Sequence, residues 1–417
     1  MKPKALKQPR KSFQKGDADL KRYIGLDVHK NFIMIAAVDR VQETIMAPRK
    51  VKMTQFDDWI AGHITPEDTV TLEVSNGSWE IHDRLRQHTR NILVANSNKL
   101  KIISRSSVKT DKRDAMVLAR LTSVNILPTI WVPPAAVREL RSLIAQRKNH
   151  IKMRTRVKNR MHGILMRRHI QRPMKSVFSD KYITWWQSLP LTKVEKLQVK
   201  QGLEQIQFLK HQIIELEECI GEMSVESPWK EQVVYVLQIV GIGLMSAMTI
   251  LSAIGDVHRF STAKALVGYS GLGSRVHASG DSYRTGKISK TGRKELRTAL
   301  VECAWVAIGF SDHWRLKYEE LIKRKDPQKA ITIIARKMLV VIWHVLTKKV
   351  KNKHITVETI ARKMLKWAMT YRLATKQGGS RPAFVRRELD RLGVGRQLKC
   401  FIYGNRHFIL PDSQFVS

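Results

Sequence analysis

Apolar residues alternate loosely through 23–40, YIGLDVHKNFIMIAAVDR, and the run is rich in β-branched side chains. That pattern predicts a strand, a short turn around His29 to Asn31, and a second strand. Thr69 to Val74 predicts another strand, closed by the turn residues Ser75, Asn76 and Gly77. A helix over Trp79 to Gln87 and a strand over Asn91 to Ala95 follow. Strand, helix and strand at this spacing form a βαβ unit, with parallel pairing and a right-handed crossover. Asp111 to Leu121 has a helical pattern, and Trp131-Val132-Pro133-Pro134 breaks the chain there.

Beyond the prolines the period changes to that of long helices. Val137, Leu140, Ile144, Ile151, Met161 and Ile164 form one apolar stripe, and 138–168 carries eleven Lys or Arg against the single acid Glu139. Ile206, Leu209, Ile213, Leu216, Ile220 and Met223 recur at intervals of three and four, the seam of a coiled coil or an antiparallel helical hairpin. A helical spacer or dimer arm and a nucleic-acid grip are both compatible with these two segments. From Pro228 to Lys348 the pattern is helical and compact, and the Gly- and Ser-rich stretch from Gly273 to Gly292 is read as a loop dense in cations. Gln377 to Pro382 is read as a second loop. The resulting division is a basic tail (1–21), an α/β domain (22–132), a helical linker (133–227), a helical domain (228–348) and a basic extension (349–417).

Charge narrows the partner. Seventy-five Lys and Arg stand against 36 Asp and Glu, a formal net charge of +39. Such a surplus calls for a polyanion, and nucleic acid is the leading one. The 43% hydrophobic content excludes a disordered basic tail and supplies packed cores. Cys219, Cys303 and Cys400 are far apart, so neither a zinc site nor a disulfide framework has support, and a reducing cytoplasm is expected. The charged N-terminus lacks the apolar segment of a secretory signal.

In so basic a chain, carboxylates inside apolar strands need a reason. Asp27 lies between Leu26 and Val28, and Glu73 between Leu72 and Val74. Uncompensated burial of either is costly, and a divalent cation would compensate it. Asp111 and Asp114 are three residues apart and share one face of a helix, so they can point at the sheet edge that carries the other two. Four oxygen donors suit a pair of Mg²⁺ ions, which clamp the attacking and leaving oxygens of a phosphoryl transfer. The competing reading of Asp111 is a solvated helix-end acid favoured by the dipole. His29 and His82 are read as ordinary polar residues, without a second ligand at metal spacing.

The uncharged run from Gln232 to Gly255 is long enough to cross a bilayer, but its glycines and polar residues fit a helix-hairpin-helix better. Its Gly241-Ile242-Gly243 turn would present backbone N–H groups to a phosphate; the alternative is a tight hairpin buried in a core. Ser261 is a candidate cap for the helix that ends near Gly271. A hydroxyl in the cationic loop beyond could grip phosphate or attack phosphorus.

Taken in order, GLDVHK, LEV, DKRD, VGIG, IGD, FSTAKAL, YSGL, SG and GKISKTGRKELR resemble the IS110 family of insertion-sequence transposases, the DEDD type related to the Piv invertase, from about Tyr23 to Lys348. The resemblance implies an α/β RNase H-like (RuvC-type) N-terminal domain, a helical coiled-coil linker and a mostly helical C-terminal transposase domain with the helix-hairpin-helix-like element. Asp27, Glu73, Asp111 and Asp114 match the family's metal-binding acids, and Ser279 matches its nucleophilic serine. Also implied are two Mg²⁺ ions, with Mn²⁺ as a substitute, and a cytoplasmic, nucleoid-associated homo-oligomer, dimer or tetramer. It would act on element ends and target DNA under a structured noncoding bridge RNA, with no membrane partner. The serine of one subunit would join the acids of another. Alternatives are a RuvC-like junction resolvase using metal-activated water, and a non-enzymatic nucleic-acid-binding protein. After YSGL the chain has Gly273-Ser274 where members often have proline.

Overall fold

A computed structural model of the 417-residue chain describes residues 21–97, 99–100, 110–173, 177–280, 282–377 and 379–414. The expected basic tail therefore lies, but for its last residue, outside the described residues. The chain divides into two compact units, 1–133 and 134–417.

In the first unit five strands form one sheet: β1 (Tyr23–Val28), β2 (Phe32–Val38), β3 (Thr44–Lys52), β4 (Thr69–Glu73) and β5 (Asn91–Ala95), in the order β3-β2-β1-β4-β5. Short turns make β1, β2 and β3 an antiparallel meander. Longer connections through α1 (Phe56–His63) and α2 (Ser78–Leu85) bring β4 and β5 in parallel to β1. Mixed pairing in this order is that of an RNase H-like sheet. The meander's third strand and α1 were not expected: β3 is interrupted by Pro48, Arg49 and Lys50 and α1 is only eight residues long, so neither shows a sustained period.

Strand alternation divides the sheet into two faces. Ile24 and Leu26 of β1 and Val70 and Leu72 of β4 join Phe56, Trp59, Ile60, Ile81 and Leu85 in one core. Each fully buried side chain of this size contributes about 1.5–3 kcal/mol. The other face takes α3 (Asp111–Ser123), whose Ala115 and Ala119 pack on β1 and β2. Gly25 permits that approach, because a Cβ there would lie 2.0 Å from the Ala115 carbonyl oxygen and 2.7 Å from the Ala119 nitrogen. Thr71 and Thr122 hydroxyls meet at 2.8 Å across the same interface. Arg22 holds the entries of β1 and β4 together through a buried two-pronged bond to Asp68, 2.6 Å on each side.

In the second unit α4 (Ala135–Arg167) and α6 (Lys193–Met223) form an antiparallel hairpin closed by α5 (Ile183–Ser188). The pairings Arg147 to Glu217, Arg160 to Gln205 and Arg168 to Glu195 run in opposite directions along the two helices. Between them lie Val157, Met161, Ile164, Val199, Ile206 and Leu209, so the first two residues of the predicted seam are consumed within the chain, and Ile213 and Ile220 are buried as well. Thr192 and Glu195 form a reciprocal capping box that starts α6.

The helices α7 (Lys230–Leu237) and α8 (Leu244–Ile254) follow, then α9 (Ala263–Ser270), α10 (Lys294–Phe310), α11 (Asp312–Ile322) and α12 (Pro327–Lys348). By length and composition alone α12 could cross a membrane; half of its most apolar window is buried within the protein. The run 232–255 is two short helices about a tight turn. Thr262, not Ser261, caps α9, its hydroxyl accepting from the Ala265 amide.

Two expected loops also need correction. The stretch expected to be a loop forms an antiparallel ribbon, β6 (Ser274–Ser279) and β7 (Ser282–Ile288). All of β6 is exposed, so hydropathy carries no alternating signal for it. The expected loop at 377–382 is shorter: Ser380 caps a further helix, whose first turn holds Arg381 and Pro382. The final segment is folded, as α13 (Val357–Thr370), α14 (Leu373–Lys376), α15 (Arg381–Arg391) and the hairpin β8 (Cys400–Tyr403) with β9 (Arg406–Ile409).

Candidate metal centre and serine hairpin

Parallel pairing of Leu26 with Leu72 brings Asp27 and Glu73 level at the ends of adjacent strands. Because Leu26 and Leu72 face the larger core, strand alternation turns Asp27 and Glu73 to the side covered by α3. Thr110 caps α3, accepting from the Arg113 amide, and this fixes where the helix begins. Asp111 and Asp114 sit in its first turn, where the dipole favours acids. The sheet edge and the helix start therefore bring the four predicted acids to one end of the unit.

Within that group Asp27, His29 and Asp111 each offer a ligand atom within 4.8 Å of the others. His29 Nε2 lies 3.0 Å from Asp27 Oδ2 and 3.5 Å from Asp111 Oδ2. Its ring stacks on Phe32 at 4.5 Å. Asp27 is the most shielded of the three, its side chain 18% exposed against 35% for His29 and 48% for Asp111. Burial pushes the Asp27 carboxyl above its ordinary range; His29 opposes this and the charges of Asp114 and Asp111 add to it. Glu73 and Asp114 stand outside the tight triad but border it, Glu73 by register and Asp114 by its field.

His29 was expected to be an ordinary polar residue, and the structure corrects this. It follows Asp27 by two positions, one residue past the end of β1, and that closeness along the chain was the signal available in the sequence. His82 pairs only with its neighbour Asp83 among the described contacts.

Ser279 closes β6 in the second unit, paired with Ser282 across a tip where Gly280 has φ +53°. It is exposed, and the neighbouring pair His277 and Arg284 is exposed too.

The helical hairpin α7–α8 turns on Gly241, with φ +88°, where a Cβ would lie 2.4 Å from the Cys303 carbonyl oxygen of α10. Lys363 of α13 donates to the turn carbonyls of Ile239 and Ile242, at 3.0 and 2.8 Å. Ile239 and Ile242 are buried, whereas Gly243, the N-cap of α8, is exposed. The turn is thus part of the core on one side and open on the other.

Known proteins match the chain in both units. Residues 24–170 match the family model for the DEDD transposase of IS110 elements, and 234–319 match that for transposases of the IS116/IS110/IS902 family. The pilin gene-inverting protein of Moraxella bovis is 27% identical over 342 residues, covering 78% of this chain and 96% of that protein. The IS1111A transposase of Coxiella burnetii is 23% identical over 345 residues, 79% of this chain and 90% of that protein. For y4qE of Sinorhizobium fredii, named as a candidate transposase, the figures are 26% over 273 residues, 63% of this chain and 65% of that protein. The two family matches together span more than half of the chain, and the chain belongs to the IS110 family of insertion-sequence transposases.

Proposed function

We propose that the protein is a DEDD-type, serine-dependent DNA recombinase whose acids hold divalent metal while Ser279 attacks the DNA backbone. The convergence of Asp27, His29 and Asp111 at the sheet edge carries this reading. Two carboxylates and an imidazole, with Glu73 and Asp114 alongside, suit Mg²⁺ and also Mn²⁺, which accepts nitrogen more readily. The Asp27 carboxyl, raised mainly by burial and further by the charges of Asp114 and Asp111, fits as well, since a cation would offset both. When bound, two such ions supply charge neutralisation and Lewis acidity to phosphoryl transfer.

The residues divide the remaining work. Asp27, Glu73, Asp111 and Asp114 ligate, and His29 orients or joins them. Ser279 Oγ forms a bond to phosphorus as the bond to the 3′ oxygen breaks; the serine proton passes in net to that oxygen, so a 3′-hydroxyl leaves and a 5′-phosphoserine link remains. Exposure at a ribbon tip leaves Ser279 accessible to DNA and to the acids of another subunit in a dimer or tetramer. Cationic α4 supports binding of a structured guide RNA, the bridge RNA of the element, beside donor and target DNA.

Trapping covalent protein–DNA adducts tests the reading. Ser279→Ala abolishes adducts and Asp27→Asn abolishes their metal-dependent formation. Cleavage that persists in Ser279→Ala would instead indicate a resolvase using water, with Ser279 only gripping phosphate.

A further inference from the structure

Within the second unit, between α4, the end of α8 and the start of α10, lies a cavity of about 230 Å³. Arg141, Lys148, Asn149 and Lys152 of α4 line one wall, and Arg293 and Glu295 at the start of α10 line another. Arg141 is fixed at the C-terminal end of α8, its Nε donating to the Ser252 carbonyl at 2.8 Å and its Nη2 to the Ala253 carbonyl at 3.1 Å. These bonds orient the guanidinium and leave its charge in place. Arg293 is held by its main chain, whose N–H donates to the Tyr269 carbonyl at 2.9 Å. Its Nε is buried and makes no hydrogen bond. The wall's one carboxylate, Glu295, stands 3.7 Å from Arg293 Nε and 3.9 Å from Lys148 Nζ, too far for a hydrogen bond to either. Four cations thus face one acid, and one buried donor lacks an acceptor.

We propose that this pocket is a phosphodiester subsite that seats one backbone phosphate of a bound nucleic acid. A phosphate supplies several acceptor oxygens and a charge opposite to the surplus, which meets the unbonded Arg293 donor and the lysines together. Burial lowers the Arg141 guanidinium to about 10, and Arg293 and Arg259 add to the fall while Tyr269 opposes it. The inference rests on the nucleic-acid-handling reading above and adds a fixed anchor to it.

The test is binding of the full-length protein to labelled duplex DNA and, separately, to duplex RNA of the same sequence across a salt series. Lys148→Ala/Lys152→Ala makes the log–log salt slope shallower by about one to two units, and Arg293→Gln by about one, with melting temperature used to select folded variants. A change with DNA alone assigns the phosphate to DNA, and a change with RNA alone assigns it to RNA. Unchanged slopes in both, or an equal loss in the control Lys323→Ala/Lys325→Ala beyond α11, overturn the subsite. Adducts are scored in parallel. Loss of adducts in Ser279→Ala beside unchanged slopes refutes the pocket alone, whereas altered slopes with adducts insensitive to Ser279→Ala refute the serine mechanism alone.

Discussion

His29 Nε2 lies 3.0 Å from Asp27 Oδ2, two residues back along the chain, Asp27 in β1 and His29 just past the end of that strand. The imidazole also reaches Asp111 on α3, so it connects the sheet to the helix that carries the other acids. His29→Ala is therefore expected to weaken Mn²⁺ binding by about 10–100-fold, the usual cost of losing a ligand or its supporting partner. Calorimetric titration of the purified protein measures it, and an affinity equal to wild type would reduce His29 to a surface residue.

Asp27 should show a conflict between stability and function. Its folded carboxyl is raised, so in metal-free protein its ionisation opposes folding. The favourable contribution is complete below the unfolded value and is lost as pH rises through the folded one. Asp27→Asn, with chelator at neutral pH, is expected to melt higher than wild type by something on the order of 1 kcal/mol. Added Mg²⁺ raises the melting temperature of wild type and not of the variant.

Gly25→Ala tests how α3 is seated. The new methyl would collide with main-chain atoms of Ala115 and Ala119, which cannot rotate away. Overpacking of this kind costs about 1–3 kcal/mol and shifts the helix. Urea unfolding should show the loss, and metal binding should fall with it, because α3 carries Asp111 and Asp114. Stability lost with metal affinity intact would separate the glycine from the site.

Which parts were legible follows from how much of each element is buried. β1, β2 and β4 announce themselves because their apolar residues face a core, and Asp27 and Glu73 were conspicuous as charges among them. The β6–β7 ribbon was not, because β6 has no buried face to impose alternation. His29 was judged by metal-ligand spacing in sequence, yet its partner Asp111 arrives from a helix more than eighty residues away. The last segment looked merely basic. In fact Arg386, Glu388 and Asp390 are buried in α15, with Arg386 donating to the Pro411 and Gly395 carbonyls, pairings no periodicity reports.

Lys363 gives the clearest pH prediction. Its ammonium is buried against two carbonyls of the Gly241 turn, and burial lowers it to about 8. Cys303 pulls the other way and Lys366 adds to the fall. Below about 8 both states hold the proton; between about 8 and the unfolded value near 10.5 the folded state has released it and the unfolded chain has not. Stability should therefore rise with pH across that window, relative to a variant lacking the group. Lys363→Met removes this rise and also leaves the Ile239 and Ile242 carbonyls without their donor, at about 1–3 kcal/mol. Denaturant unfolding of both proteins at pH 7.5 and pH 10, values of about that spacing being chosen to bracket the window, compares the two slopes. Parallel pH profiles would mean that Lys363 is not the titrating group, and an unchanged midpoint would mean that its two bonds do not hold the turn.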